Sequence, residues 1–215
     1  NDDRTKLDGV PEIAVVTSGA VRVQTLAGRV VFTAALPGAP PGTGGAPTIG
    51  DFDGDGRAEI GVAGATDYSV FDPDCVAGAA AAVCPSAATN GVLWSKSSQD
   101  LSSNVTGSSV FDFDGDGRDE VVYADECFSR VYDGVTGDVL FSQYHTSCTW
   151  YENPIVADVA GNFKAAVVIP SNRNCNVTCP ALDPIHDGVR CDTNADCPAA
   201  TTCGHGLLAI VAAAD

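Results

Sequence analysis

Two acidic nonamers, DFDGDGRAE at Asp51–Glu59 and DFDGDGRDE at Asp112–Glu120, constrain this chain more than any other feature. Each lies between short runs of β character, PTIGDF and EIGVAG around the first, SSVFDF and EVVYAD around the second. Acids at loop positions 1, 3 and 5 can turn toward one point, position 7 can add a backbone carbonyl, and position 9 adds another carboxylate. That all-oxygen set suits a hard, flexibly coordinated cation such as Ca²⁺. Gly54, Gly56, Gly115 and Gly117 let the chain curl, because a positive φ costs glycine nothing. The bland alternative is a pair of solvated acidic turns. It leaves the crowded carboxylates repelling one another, twice, in the same strand–loop–strand context.

An EF-hand requires a bidentate Glu at position 12 and flanking helices. Position 12 is Val62 in one copy and Tyr123 in the other, and the flanks read as strands, so that reading fails. A nine-residue D-x-D-x-D-G-x-x-[DE] loop joining two strands resembles the FG-GAP/VCBS repeat of integrin-type β-propellers. The resemblance implies an all-β propeller of four-stranded blades, each acid loop linking the first and second strands of a blade and holding one Ca²⁺. It implies two calcium sites. The ligands of one would be the side chains of Asp51, Asp53, Asp55 and Glu59 with the carbonyl of Arg57; those of the other, Asp112, Asp114, Asp116 and Glu120 with the carbonyl of Arg118. The family usually carries Asp at position 9, so Glu is a mild departure.

Two further copies are in register. Aligning on position 9 places Glu12, Glu59, Glu120 and Ala166 together, at spacings of 47, 61 and 46 residues. A period near 46 with one insertion is the size of a propeller blade. The outer copies have decayed: the first has Arg4 and Lys6 at positions 1 and 3, and the fourth has Ala160 and Ala166 at positions 3 and 9. They are expected to keep the loop path without tight calcium. The repeats divide a single propeller, or propeller fragment, into blades at about 1–46, 47–106, 107–152 and 153–215, with a Cys-rich insertion at 175–203 in the last. That makes about three and a half to four blades. Three completions stay open: a longer polypeptide, Leu207–Ala214 closing a four-bladed ring as the missing first strand of blade one, or neighbouring copies completing each other.

The net charge of −17 is hard to reconcile with a nucleic-acid partner. No apolar run reaches the length of a membrane span. Met is absent and the chain opens on Asn1, so an initiator and any export signal are expected to lie outside the segment or to have been removed. Nine cysteines point to an oxidising compartment, extracellular or at the cell surface. Cys75 with Cys84 and Cys127 with Cys148 are the expected disulfides. The other five, Cys175, Cys179, Cys191, Cys197 and Cys203, crowd into a turn-rich excursion, where zinc held with His186 and His205 is the competing reading. Asn104-Val-Thr106 and Asn176-Val-Thr178 match the N-glycosylation pattern.

No G-x-S-x-G, P-loop or H-E-x-x-H motif is present, and the chain is expected not to be an enzyme. His145, His186 and His205 read as surface or loop residues, and Trp94 and Trp150 as packing between blades. The function expected is a secreted or cell-surface, calcium-stabilised propeller serving as a binding, adhesion or assembly module. Its partners would be glycans, surface proteins or sister copies. The alternative is the non-catalytic propeller part of a secreted carbohydrate-active enzyme.

Overall fold

The computed structural model describes residues 9–40, 43–76, 90–148, 152–171, 177–186, 190 and 208–211. The chain is all β, with no helix among the described residues. The first sheet holds β1 (Glu12–Thr17), β2 (Ala20–Thr25) and β3 (Val30–Ala35). The second holds β4 (Thr48–Gly50), β5 (Glu59–Ala63), β6 (Asp67–Val76) and β7 (Asn90–Ser97). The third holds β8 (Ser108–Phe111), β9 (Glu120–Ala124), β10 (Phe128–Tyr132) and β11 (Val139–Tyr144). The fourth holds β12 (Ile155–Ala157), β13 (Ala166–Ile169) and β14 (Leu208–Val211). Every pairing is antiparallel and joins strands consecutive in the chain.

The sheets stack face to face in series. β5 and β9 are buried at every residue, because alternate side chains serve different neighbours. Ile60 and Val62 pack with Val21, Val23, Phe32 and Phe71 between the first two sheets, while Ala63 joins Phe52, Tyr68, Trp94, Tyr123 and Tyr132 between the second and third. Val122 and Ala124 then meet Val167 and Ile169 of the fourth. A continuous apolar run such as EVVYA is what a strand covered on both faces needs. Trp94 lies in this core and donates to the Gly134 carbonyl at 2.7 Å; Trp150 lies outside the described residues.

The first strands run side by side, β4 against β8 and β8 against β12. The Thr48 hydroxyl donates to the Ser108 carbonyl at 3.0 Å, the Tyr68 and Ser108 hydroxyls are 2.7 Å apart, and the Ser109 hydroxyl bonds the Pro154 carbonyl. Strand starts are therefore aligned, and antiparallel alternation puts the three loops 51–59, 112–120 and 158–166 at one end of the stack. The β9–β10 turn and residues 177–186, tied to it through Cys127–Cys179, fall at the other. No closed ring of sheets is found among the described residues.

One of the open completions is ruled out here, and one expected disulfide is corrected. Leu208–Val211 pairs with β13, Ile169 opposite Leu208, so it extends the fourth sheet instead of supplying a first strand to the first sheet. Cys127 is bonded to Cys179, 52 positions later in the chain, and not to Cys148. Closing a loop of that length removes enough unfolded-state freedom to stabilise the fold by about 4 kcal/mol in the chain-entropy picture. Cys75 and Cys148 are also disulfide-bonded; Cys84, the expected partner of Cys75, lies outside the described residues, as do Cys175, Cys191, Cys197, Cys203 and His205.

The disulfide fastens the excursion over buried polar groups. Arg130, about 1% exposed, donates through Nε and Nη2 to Asp183 of the excursion at 2.7 and 2.8 Å and through Nη1 to Asp125 at 2.6 Å. A guanidinium this deep is tolerable because two carboxylates match its planar donors. Beside it His145, in the loop after β11 as the sequence implied, is fully buried, contrary to its reading as a surface residue. Its backbone N–H reaches the Cys127 carbonyl at 2.9 Å. Burial pushes its pKa down from 6.5 to about 4. The fold therefore holds neutral imidazole, and its contribution is complete above the unfolded pKa and lost as the pH falls from about 6.5 toward 4. Denaturant unfolding of the wild type should lose about 2.5 kcal/mol between pH 7 and 4.5 relative to His145→Gln. Equal losses in the two proteins would mean that His145 is not held neutral.

Candidate metal centres

Each acid loop is organised by its own first residue. Asp51 Oδ1 accepts the Gly54 N–H at 2.8 Å and Oδ2 the Gly56 N–H at 3.0 Å. Asp112 does the same for Gly115 and Gly117 at 2.7 and 3.0 Å. The glycines at position 6, Gly56 and Gly117, adopt φ of 82° and 87°, which the tight path requires. The last acid closes the loop: Glu59 Oε2 accepts the Phe52 N–H at 2.7 Å, and Glu120 Oε2 the Phe113 N–H at 2.8 Å. Each Glu is the first residue of a strand buried on both faces, so its carboxylate enters the fold with the strand.

Three acids per loop converge. Carboxylate oxygens of Asp51, Asp53 and Glu59 all lie within 4.8 Å of one another, as do those of Asp112, Asp114 and Glu120. These two clusters could hold a metal ion, and no third appears among the described residues. Asp55 and Asp116 stand outside the converging sets. The Asp55 carboxylate accepts the Arg57 N–H at 2.8 Å, and Asp116 accepts the Arg118 N–H at 2.9 Å and pairs with the Arg118 side chain. The Arg57 side chain turns away to Asp74 at 2.7 Å.

Burial and like-charge repulsion dominate the electrostatics of both clusters. Burial and then the Asp53 charge push Glu59 up to about 9; burial, with the Asp114 and Asp112 charges behind it, pushes Glu120 up to about 7. Asp53 is raised by burial and by Asp55. Asp72 of β6, only 3% exposed, is raised to about 6 chiefly by burial and adds to the field on Glu59. Carboxylates held this way are short of positive charge, and a cation would supply it. The donors are oxygens only, which fits a hard cation such as Ca²⁺, Mg²⁺ or Mn²⁺ and not a thiolate-seeking one. A cleft of about 640 Å³ lined by Glu12, Asp51, Arg57 and Asp74 offers the first loop a route to solvent. The competing zinc reading loses Cys179, whose sulfur is in the disulfide with Cys127.

The fourth loop keeps this path without the cluster. Asp158 Oδ2 accepts the Phe163 N–H at 2.7 Å, the counterpart of the Asp51–Gly56 bond, and Asn162 Oδ1 accepts the Lys164 N–H at 3.1 Å, as Asp55 does from Arg57. With Ala160 and Ala166 at positions 3 and 9, two of the three converging acids are missing. Phe163 occupies the position-6 glycine site at φ 62°, 98% exposed. A phenylalanine there bears left-handed strain with no packing in return. Phe163→Gly should raise stability by about 1 kcal/mol in denaturant titrations; a loss of stability would show that the ring makes a contact of its own.

Residues 6–62 match the model of the FG-GAP-like repeat, a segment that contains the first acid loop and ends in β5. No curated protein matches the chain significantly. Among solved structures, the chain is similar to the V. cholerae biofilm matrix protein Bap1, at 23% identity and a TM-score of 0.45, over 73% of this chain and 24% of that one. It is also similar to a protein of unknown function from Bacteroides caccae, at 15% identity and a TM-score of 0.38, over 74% of this chain and 49% of that one. The chain thus spans about a quarter of the first protein's length and about half of the second's.

Proposed function

We propose that the chain is a calcium-holding β-propeller module of a secreted or cell-surface protein, non-catalytic, that binds or assembles with other macromolecules. One observation carries this reading. The same cradle of acids occurs twice, each time between the first and second strands of a four-stranded sheet, with its last carboxylate buried. Bound Ca²⁺ supplies positive charge and a high coordination number to oxygens that otherwise repel. The protein's residues do the rest. Asp51, Asp53 and Glu59 gather at one loop and Asp112, Asp114 and Glu120 at the other. Asp55, Asp116 and the carbonyls of Arg57 and Arg118 complete the proposed shells. The rigid product is a loop fixed at both strand junctions, which keeps neighbouring sheets in register.

Face-to-face stacking with first strands innermost supports radial blades. Export is supported by the Cys127–Cys179 disulfide. The acidic charge argues against nucleic acid, and among the described residues no helix is long and apolar enough to cross a membrane. Glycans, surface proteins and sister copies are the partners proposed.

Calcium removal tests the proposal. A cation bound only by the folded state stabilises it by mass action, about 2.7 kcal/mol when present at a hundredfold above its Kd. EDTA should lower Tm by several degrees, and calcium should restore it. Asp53→Ala with Asp114→Ala should lower Tm similarly and abolish the response to EDTA. A double variant that still responds fully would place the metal elsewhere.

A further inference from the structure

The two acid loops differ at one residue: position 8 is Ala58 in the first and Asp119 in the second. Asp119 does not face its own loop's cluster. Its Oδ2 accepts the Asp51 N–H at 3.0 Å, and its backbone N–H donates to the Asp51 carbonyl at 2.9 Å. The residue that begins the first loop is thus held on both backbone groups by a residue 68 positions later in the chain. Room is made for this contact. A Cβ at Gly50 would lie 2.7 Å from Asp119 Oδ2, and one at Gly134 would run into the carbonyls of Asp119 and Phe52. Arg118, next to Asp119, lays its side-chain stem over Gly54, where a Cβ would sit 2.7 Å from Cγ. The equivalent of Gly50 before the second loop is Phe111, and the equivalent of Asp119 in the fourth is Ala165, so neither half of the contact is repeated one sheet on.

We infer that Asp119 is a positioning residue for the first metal centre. Through two backbone bonds it fixes Asp51, whose carboxylate both organises the first loop and belongs to its converging set. The first site is therefore pre-shaped by the neighbouring sheet, and the second is not. This rests on the metal reading proposed above. Outer partners that orient a ligand commonly change metal affinity by tenfold or more when removed.

The test is calcium titration calorimetry on the full chain, reading each site alone. An Asp114→Ala background reports the first site and an Asp53→Ala background the second. Asp119→Ala removes the acceptor, Asp119→Asn keeps an acceptor without the charge, and Gly50→Ala displaces the carboxylate while leaving it charged. Asp119→Ala and Gly50→Ala should each weaken the first site by about tenfold or more, Asp119→Asn by less than about threefold, and the second site should change by less than about threefold throughout. A residue acting only locally would instead weaken the second site, which adjoins it in sequence. Loss confined to the second site, no loss at the first, or Asp119→Asn as damaging as Asp119→Ala would each overturn the positioning role while leaving the metal reading intact. Absence of binding in both backgrounds would overturn the metal reading and this role with it. If Asp119→Ala does not fold, Gly50→Ala and Asp119→Asn decide the question alone.

Discussion

The rest of the structure depends on a carboxylate being carried into the core. Stacking in series requires the second strand of each inner sheet to be covered on both faces, so β5 and β9 are buried from their first residue onward. That first residue is Glu59 or Glu120, the last acid of the preceding loop. Packing therefore fixes where the carboxylate goes, and its bond to the Phe52 or Phe113 N–H fixes the loop around it. An isolated charge there would be expensive. The fold tolerates it only if proton or cation balances it, and two further acids gathered at the same point favour the cation. Hydrophobic stacking and the neutralising of charge are in this way two demands on one side chain.

The loops and strands were legible because their information is contiguous. Nine residues contain a cradle, and runs such as EIGVA and EVVYA announce strands without a solvent face. What could not be read was set by residues far apart. Asp119 meets Asp51 across 68 positions, Arg130 meets Asp183 across 53, and Cys127 finds Cys179 instead of the nearer Cys148. Nothing local distinguishes such partners from others of the same type. His145 was read rightly as following a strand end but its burial was missed, because a polar residue after a strand usually faces water. The D-x-D-x-D spacing also left unread the local bonds of the third acid: one oxygen of Asp55 and one of Asp116 accept the backbone N–H two residues ahead.

The fourth loop separates what shapes the path from what fills it. Asp158 and Asn162 keep the side-chain bonds that position 1 and position 5 make elsewhere, although the acids at positions 3 and 9 are gone. Loop geometry is thus a property of the peptide and its short polar side chains. Charge crowding is separable from that geometry and can be lost without unravelling the turn.

Antiparallel alternation divides the stack into two ends with different chemistry. At one, clustered acids fill the loops and Asp119 reaches across to Asp51 of the neighbouring sheet. At the other, the excursion is tied down by a covalent bridge and a buried guanidinium between Asp125 and Asp183. Stress on the assembly accordingly meets two unlike fasteners. On the proposed metal reading, sequestering divalent ions would loosen one rim, and a thiol reductant the opposite rim, each leaving the other hinge closed. Such a body opens like a book held at whichever spine its surroundings spare.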